Sequence, residues 1–463
     1  MSAAALPRRR TASAVASLFG LAVAFTAGLW VGMNDAEARR GETPPLPLPR
    51  PAHSAEVPLH FDDAQLDPID WTDLPGWAED DHAAAFAAFR ISCGPIVRGD
   101  AAADPRAIRR ALVPPCRRAL AARLRGGDAA RHFFEDHFRP LAITRLGESA
   151  GFLTGYYEPI VDGSRFASPT FKVPLHRRPP DLVAPGQKPG QPFPNRGQAL
   201  RITLDGERVP YWDRGEIEDG ALGGRHLELA WLKDPAELLT IQIQGSARVR
   251  LEDGTLLRVN YDGHNGYPYT PVGRVLIERG HIPREEMSMA RIRDWMLANP
   301  EEANDVRRQN RSYVFFRVTG LNDEREPAGA QGVPLTAGRS IAVDRIHVYG
   351  TPFFIWADLP ITGPRSADPF RRTMIAQDTG SAIVGPARAD LYFGAGDEAG
   401  RIAGRIRQAG RFALLVPREI DPVAVGARMP LPLARPAPEP EKPAVKRRPG
   451  RGEPRAVRRH RGR

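Results

Sequence analysis

Only two cysteines occur in the 463 residues, Cys93 and Cys116, and the 11 histidines include no His-Glu-x-x-His pattern or Cys/His cluster. No metal site is indicated, and a zinc-dependent amidase is not what this sequence describes. Long apolar runs are equally scarce: the one uncharged stretch, Thr11 to Met33, is too little for a multi-span membrane protein. No Walker loop, Gly-x-Ser-x-Gly elbow or dinucleotide fingerprint stands in a strand-to-helix context, and internal repeats are not evident. The middle of the chain also lacks an excess of either charge. The formal net charge is +10, but residues 1–50 hold six Arg against three acids and residues 431–463 hold eleven Lys/Arg against three, which leaves −1 for residues 51–430. The basic surplus lies at the ends, so no nucleic-acid partner is expected of the folded body.

With 42% apolar and 26% charged residues, two or three packed domains are expected. The N-terminus has the order of an export signal: Arg8, Arg9 and Arg10, then the uncharged run, then Ala36-Glu37-Ala38 as a small-x-small cleavage pattern. The run is also long enough to span a bilayer, so an uncleaved signal anchor fits the same residues. Either way, the chain beyond Ala38 faces an oxidising compartment, where Cys93 and Cys116 are expected to pair. No cysteine directly follows the run, so a Cys-anchored lipoprotein is not expected. Pro-rich residues 39–58 form a linker, and folding is expected to begin near Leu59. Residues 419–463 combine Pro, Arg and Lys with few large apolar side chains, which describes a solvated tail able to adhere to an anionic membrane or cell-wall surface.

Between these ends, Asp81 to Phe89, Ala107 to Leu124 (broken at Pro114-Pro115) and Ala129 to Phe138 carry helical periodicity. From Gly151 the pattern turns to β-branched and aromatic runs. Thr240 to Gln244 alternates strictly and predicts a strand, and Glu252-Asp253-Gly254-Thr255 between Arg248–Leu251 and Leu256–Val259 predicts a hairpin. Helices are expected over Arg284–Leu297 and Glu301–Gln309. Short strands are expected at Ser312–Val318, Ser340–Val343, Phe353–Trp356, Arg372–Ala376, Leu391–Phe393 and Phe412–Pro417, close enough together for a small barrel.

Three motifs stand in order along this region: Thr154-Gly155-Tyr156-Tyr157-Glu158-Pro159, Ile241-Gln242-Ile243-Gln244-Gly245-Ser246-Ala247 and Tyr261-Asp262-Gly263-His264-Asn265-Gly266-Tyr267-Pro268-Tyr269. Three aspartates follow: Asp344 after Ala342-Val343, Asp378 before Thr379-Gly380, and Asp390 before Leu391-Tyr392-Phe393-Gly394. Over residues 60 to 418 this set resembles the membrane-bound lytic transglycosylase A family, periplasmic enzymes that cut the glycan strands of peptidoglycan and carry a three-aspartate domain. The resemblance implies a mainly β fold with N-terminal helices, in which a double-psi β-barrel domain and an inserted second β-rich domain hold a glycan groove between them. The parts are then 59–154 as the helical part of the barrel domain, 155–310 as the insert and 311–418 as the three-aspartate segment. A cofactor-free, monomeric enzyme acting on glycan strands in the periplasm of a Gram-negative bacterium is implied.

Cutting a glycosidic bond requires a proton donor at the bridging oxygen and support for an oxocarbenium-like state. If the 6-hydroxyl of the muramic acid attacks its own C1, no water is needed and one carboxyl serves as acid and then as base. By motif position the resemblance gives that role to Asp390, with Asp378 and Asp344 as supporting acids; both also suit turn-stabilising positions. Thr154, Tyr156, Tyr157 and Glu158 combine hydroxyls, aromatic faces and a carboxylate suited to a sugar. Gln242 and Gln244 would share one strand face, Gly245 would allow close approach, and Ser246 would add a hydroxyl. The alternative function is an expansin-like wall-binding or wall-loosening protein, since a barrel with an acidic groove need not cleave.

Overall fold

The computed structural model describes residues 59–188, 193, 194, 197–321 and 326–420, all within Ala55–Arg463, one of two compact units into which the chain divides. The signal segment 1–38, the linker 39–58 and the basic tail beyond residue 420 lie outside the described residues. Among the described residues no helix is long and apolar enough to cross a membrane.

The Ala-rich region folds into helices His82–Arg98, Ala107–Ala111, Val113–Ala121 and Gly126–His137. Asp81 caps the first, its carboxylate accepting from the Ala84 N–H at 3.0 Å. Pro114 and Pro115 sit in the first turn of the third, where a missing N–H breaks no helical bond, so the prolines start a helix instead of interrupting one. Phe86 meets Phe133, and Phe89 meets Phe134, edge to face in the core. Cys93 and Cys116 are bonded and fully buried, fastening the first helix to the third.

Six strands close into a barrel in the order Arg407–Pro417, Pro352–Leu359, Asp368–Asp378, Ser340–Val343, Arg388–Ala395 and Gly151–Glu158, the last pairing back onto Arg407–Pro417. Closure leaves these strands no free edge. Alternation sends Leu153, Ile341, Val343, Ala389 and Leu391 into one core shared with the helix phenylalanines. The mainly β architecture with N-terminal helices is as the sequence predicts.

After Glu158 the chain leaves the barrel through Pro159 and enters a second, six-stranded sheet as Ile160–Ser164. That sheet runs Val314–Leu321, Leu256–His264, Ser246–Leu251, Ile160–Ser164, Glu228–Leu232, Val173–His176, with its own core of Leu175, Leu232, Val249, Val259, Phe315 and Phe316. The expected hairpin is present. Gly254, at φ 82°, supplies the left-handed turn residue, and its N–H donates to Leu251 O at 2.9 Å.

Thr240 to Gln244 is a correction: it is the second half of helix Pro235–Gln244. Asp234 accepts from the N–H groups of Ala236 and Glu237 at 2.9 Å each, Pro235 opens the first turn, and Gly245 closes the helix at φ 80°. These stop and start signals outweigh five residues of accidental alternation, and the buried Leu238, Leu239 and Ile241 follow helical spacing.

The disulfide closes a loop of sequence separation 23, for which chain entropy gives a stabilisation of about 3 kcal/mol. Cys93→Ser with Cys116→Ser is expected to lower the thermal midpoint, and reductant is expected to do so only in the wild type. Two titratable thiols in the denatured, unreduced exported protein would contradict the bond.

Candidate active site

Strand register builds the site. Ala342 pairs with Asp390 on one side and Asp378 on the other, and Asp390 pairs with Thr154, so Asp378, Ala342, Asp390 and Thr154 form one row across four neighbouring strands. Asp378 joins this row through a bulge. Ile341 pairs with Ala376 but Ala342 with Asp378, which leaves Gln377 as the extra residue and re-aims the strand end. Gln377 is fully buried, donating to Ala88 O at 3.1 Å and Ser92 Oγ at 2.8 Å on helix His82–Arg98 and accepting from Ser340 Oγ. Ala342 is the one residue between the two aspartates along this row.

Asp390 Oδ1 accepts from Arg388 Nη1 at 2.6 Å and from the Thr154 hydroxyl, which itself accepts from Arg388 Nη2 at 2.8 Å. Burial raises the Asp390 pKa, and the neighbouring Arg388 opposes that rise without cancelling it. Asp378 Oδ1 accepts from the N–H groups of Ala330 and Thr379 at 2.9 Å each. Its carboxyl is pushed up to about 6, chiefly by burial, with the Asp390 charge adding and the two backbone N–H groups opposing. Tyr156 is buried with its ring 5.1 Å from that of Tyr392, and burial beside Asp378 raises its phenol well above the usual range.

A groove of about 1060 Å³ opens between the barrel and the second sheet, lined by Tyr156, Gln242, Gln244, Gly245, Ser246 and Asp378 among the sequence-predicted residues. Tyr261, His264, Tyr267 and Tyr269 of the third motif line it too. Asp390 and Thr154 are not among the lining residues; in the row that Asp378 begins they stand two and three strands along. The two glutamines do not share a strand face. On their helix, Gln242 accepts from Arg214 at 2.7 Å, and Gln244 accepts from the Tyr157 N–H at 2.9 Å, tying the barrel strand to the groove wall.

Tyr157, Glu158 and Asp344 are placed elsewhere. The Tyr157 ring packs on Gly400, where a Cβ would come within 2.7 Å of it. Glu158 is fully buried, held by Arg248 at 2.6 Å and Arg258 at 3.2 Å, so this carboxylate pins the barrel strand to the second sheet. Burial raises its pKa against the pull of both arginines. Asp344 accepts from the Gly385 N–H at 2.6 Å and fixes the loop leading to Asp390. Sequence pattern alone does not single out Arg388, although its position two residues before Asp390 on one strand was the available signal. Glu158's partners, Arg248 and Arg258, lie 90 and 100 residues further along the chain and left none. Among the described residues no group of three or more His, Cys, Asp or Glu is placed to hold a metal ion.

Residues 152–317 match the MltA specific insert domain and residues 339–416 the 3D domain. The crystal structure of membrane-bound lytic murein transglycosylase from Agrobacterium tumefaciens is 35% identical, with TM-score 0.67 over 78% of this chain and 99% of that one. The chain belongs to the membrane-bound lytic murein transglycosylase A family. Escherichia coli MltA with bound chitohexaose is 27% identical, with TM-score 0.53 over 77% of this chain and 92% of that one. Membrane-bound lytic murein transglycosylase A of Vibrio cholerae is 34% identical over 264 residues, 56% of this chain. The chain spans just under two thirds of the length of the curated relatives it matches, 63% of the Vibrio cholerae protein.

The raised Asp378 pKa has a stability consequence whose sign is fixed. The folded state holds a proton that the unfolded state releases near 3.8, so this group's contribution is full below about pH 4 and is lost as pH rises through about 6. Asp378→Asn keeps an acceptor for Ala330 and Thr379 without the charge. Its thermal midpoint is expected to match the wild type near pH 4 and to exceed it at pH 7; parallel midpoint curves between these values would contradict the raised pKa.

Proposed function

We propose that the chain is a peptidoglycan lytic transglycosylase, with Asp390 as its single acid and base. The observation that carries this reading is the Asp390 carboxyl itself: its pKa is raised by burial, and one oxygen is held by Arg388 and Thr154 while Oδ2 has no hydrogen-bond partner among the described residues. In the first step protonated Asp390 gives its proton to the oxygen joining N-acetylmuramic acid to N-acetylglucosamine, and the bond to C1 breaks. In the second, ionised Asp390 takes the proton of the 6-hydroxyl as that oxygen bonds to C1, leaving a 1,6-anhydro ring. No water is consumed. Holding the nucleophile in the same sugar supplies an effective concentration on the order of 10⁵ M, which makes a second catalytic carboxylate unnecessary.

Asp378, in the same row, is assigned a supporting role as a second acid whose own pKa is raised by burial and by the charge of Asp390. Tyr156, Gln244, Gly245 and Ser246 contribute to glycan binding, supported by their place at the groove and by the relative that binds chitohexaose, and Thr154 contributes through its hydrogen bond to Asp390. Asp344 is assigned a supporting role through the loop it fixes. We assign the closed barrel to the double-psi type and the protein to the periplasm, exported by a cleaved signal or held by an uncleaved anchor. Two neighbouring carboxyls of raised pKa favour cleavage over expansin-like loosening, which has no need of a proton donor near neutrality.

Asp390→Asn preserves shape but cannot donate and recover a proton. Release of anhydro-muropeptides from purified sacculi, read by mass spectrometry, is expected to fall by roughly 10²-fold or more while sedimentation with sacculi persists. Near-normal release would remove Asp390 from the mechanism.

A further inference from the structure

The guanidinium of Arg388 donates to Asp390 Oδ1 at 2.6 Å, to the Thr154 hydroxyl at 2.8 Å and to Ala389 O at 2.7 Å, while its carbon lies 5.4 Å from the centre of the Phe152 ring. Register explains the convergence, because Arg388 pairs with Phe152 and Asp390 with Thr154 on the same two strands. The side chain is 16% exposed and Asp390 21%, so solvent screens the pair only in part. Planar forks of this kind hold orientation as well as charge.

We propose that Arg388 is a positioning residue for Asp390, clamping Oδ1 together with Thr154 so that Oδ2 alone carries and recovers the proton. This rests on the lytic transglycosylase reading of the site. Before bond cleavage, Oδ2 holds the proton next to the bridging oxygen. After cleavage the ionised carboxylate cannot rotate away, because Oδ1 keeps its two donors, and Oδ2 faces the 6-hydroxyl whose proton it takes. Arg388 remains charged throughout and exchanges no proton.

Other groups bear on the same carboxyl. Asp378 lies across Ala342 on the far side, and Tyr156 is two residues along from Thr154. Tyr392 is two residues along from Asp390, with its phenol donating to Glu326. Arg407 pairs with Thr154 on the closing strand. The charge of Asp390 raises the proton affinity of Asp378, while burial raises that of Asp390 itself, and against that burial Arg388 donates a hydrogen bond from a cation to Asp390. Removing Arg388 therefore has a defined sign: the acid form of Asp390 persists to higher pH.

The test is the pH profile of kcat/KM for anhydro-muropeptide release from sacculi by wild type, Arg388→Gln and Arg388→Lys. In Arg388→Gln the alkaline limb is expected to move up by about one pH unit or more, with kcat falling roughly 10- to 100-fold and KM unchanged. Arg388→Lys keeps the charge but not the fork, so its limb stays with the wild type while kcat falls. A limb in Arg388→Gln that coincides with the wild type, or a change confined to KM, overturns the proposal. If Arg388→Gln does not fold, as judged by its thermal transition, full kcat in Arg388→Lys overturns it equally. A wild type that releases no anhydro products fails the proposed function instead, which keeps the two failures distinct.

Discussion

At Gln377 the strand Asp368–Asp378 holds one residue more than the parallel strand Ser340–Val343, and that surplus sets Asp378 opposite Ala342 in the same row as Asp390. Without it, a period of two would pair Gln377 with Ala342 and carry Asp378 one position further along. The bulge is held in place from outside the barrel. Gln377 is bonded to Ala88 and Ser92, and Ser92 adjoins Cys93, which the disulfide fixes to the third helix. Gln331 reaches the same turn, donating to Ser92 O at 3.1 Å, so the segment that supplies the Ala330 N–H to Asp378 is anchored there as well. The helical region and the acidic row are therefore one mechanical unit.

The same row sets the electrostatics. Neighbouring strands lie about 4.8 Å apart, so two strands separate the backbones of Asp378 and Asp390 by about 10 Å, near enough for each charge to be felt across the alanine methyl. Burial wins at both carboxyls: at Asp390 over a single guanidinium, and at Asp378 over two backbone N–H groups. Glu158 also has a raised pKa, yet two arginines enclose it and no solvent reaches it, so a raised pKa alone does not mark a reacting group.

Much of this was legible in the chain. Barrel strands showed as short apolar runs between turn residues, the helices as Ala-rich periodic segments, and Asp390 as part of a motif. What was not legible depended on distant partners or on competing local signals. Glu158 reads as a sugar-binding carboxylate until Arg248 and Arg258 fold onto it. Thr240 to Gln244 alternates like a strand, but Asp234-Pro235 and Gly245 are helix boundaries, and reading the caps before the alternation would have given the helix. Tyr156 and Tyr157 both read as sugar-facing aromatics; packing against Gly400 turns Tyr157 from the groove that Tyr156 lines.

In the mechanism proposed for Asp390, one carboxyl suffices because the sugar closes on itself. Digestion of purified sacculi in water enriched in ¹⁸O tests it most directly, since hydrolysis places a solvent oxygen at the new C1 and ring closure does not. Anhydro-muropeptides that lack one water and carry no label are expected. New reducing ends bearing ¹⁸O would contradict it and make the reaction a hydrolysis.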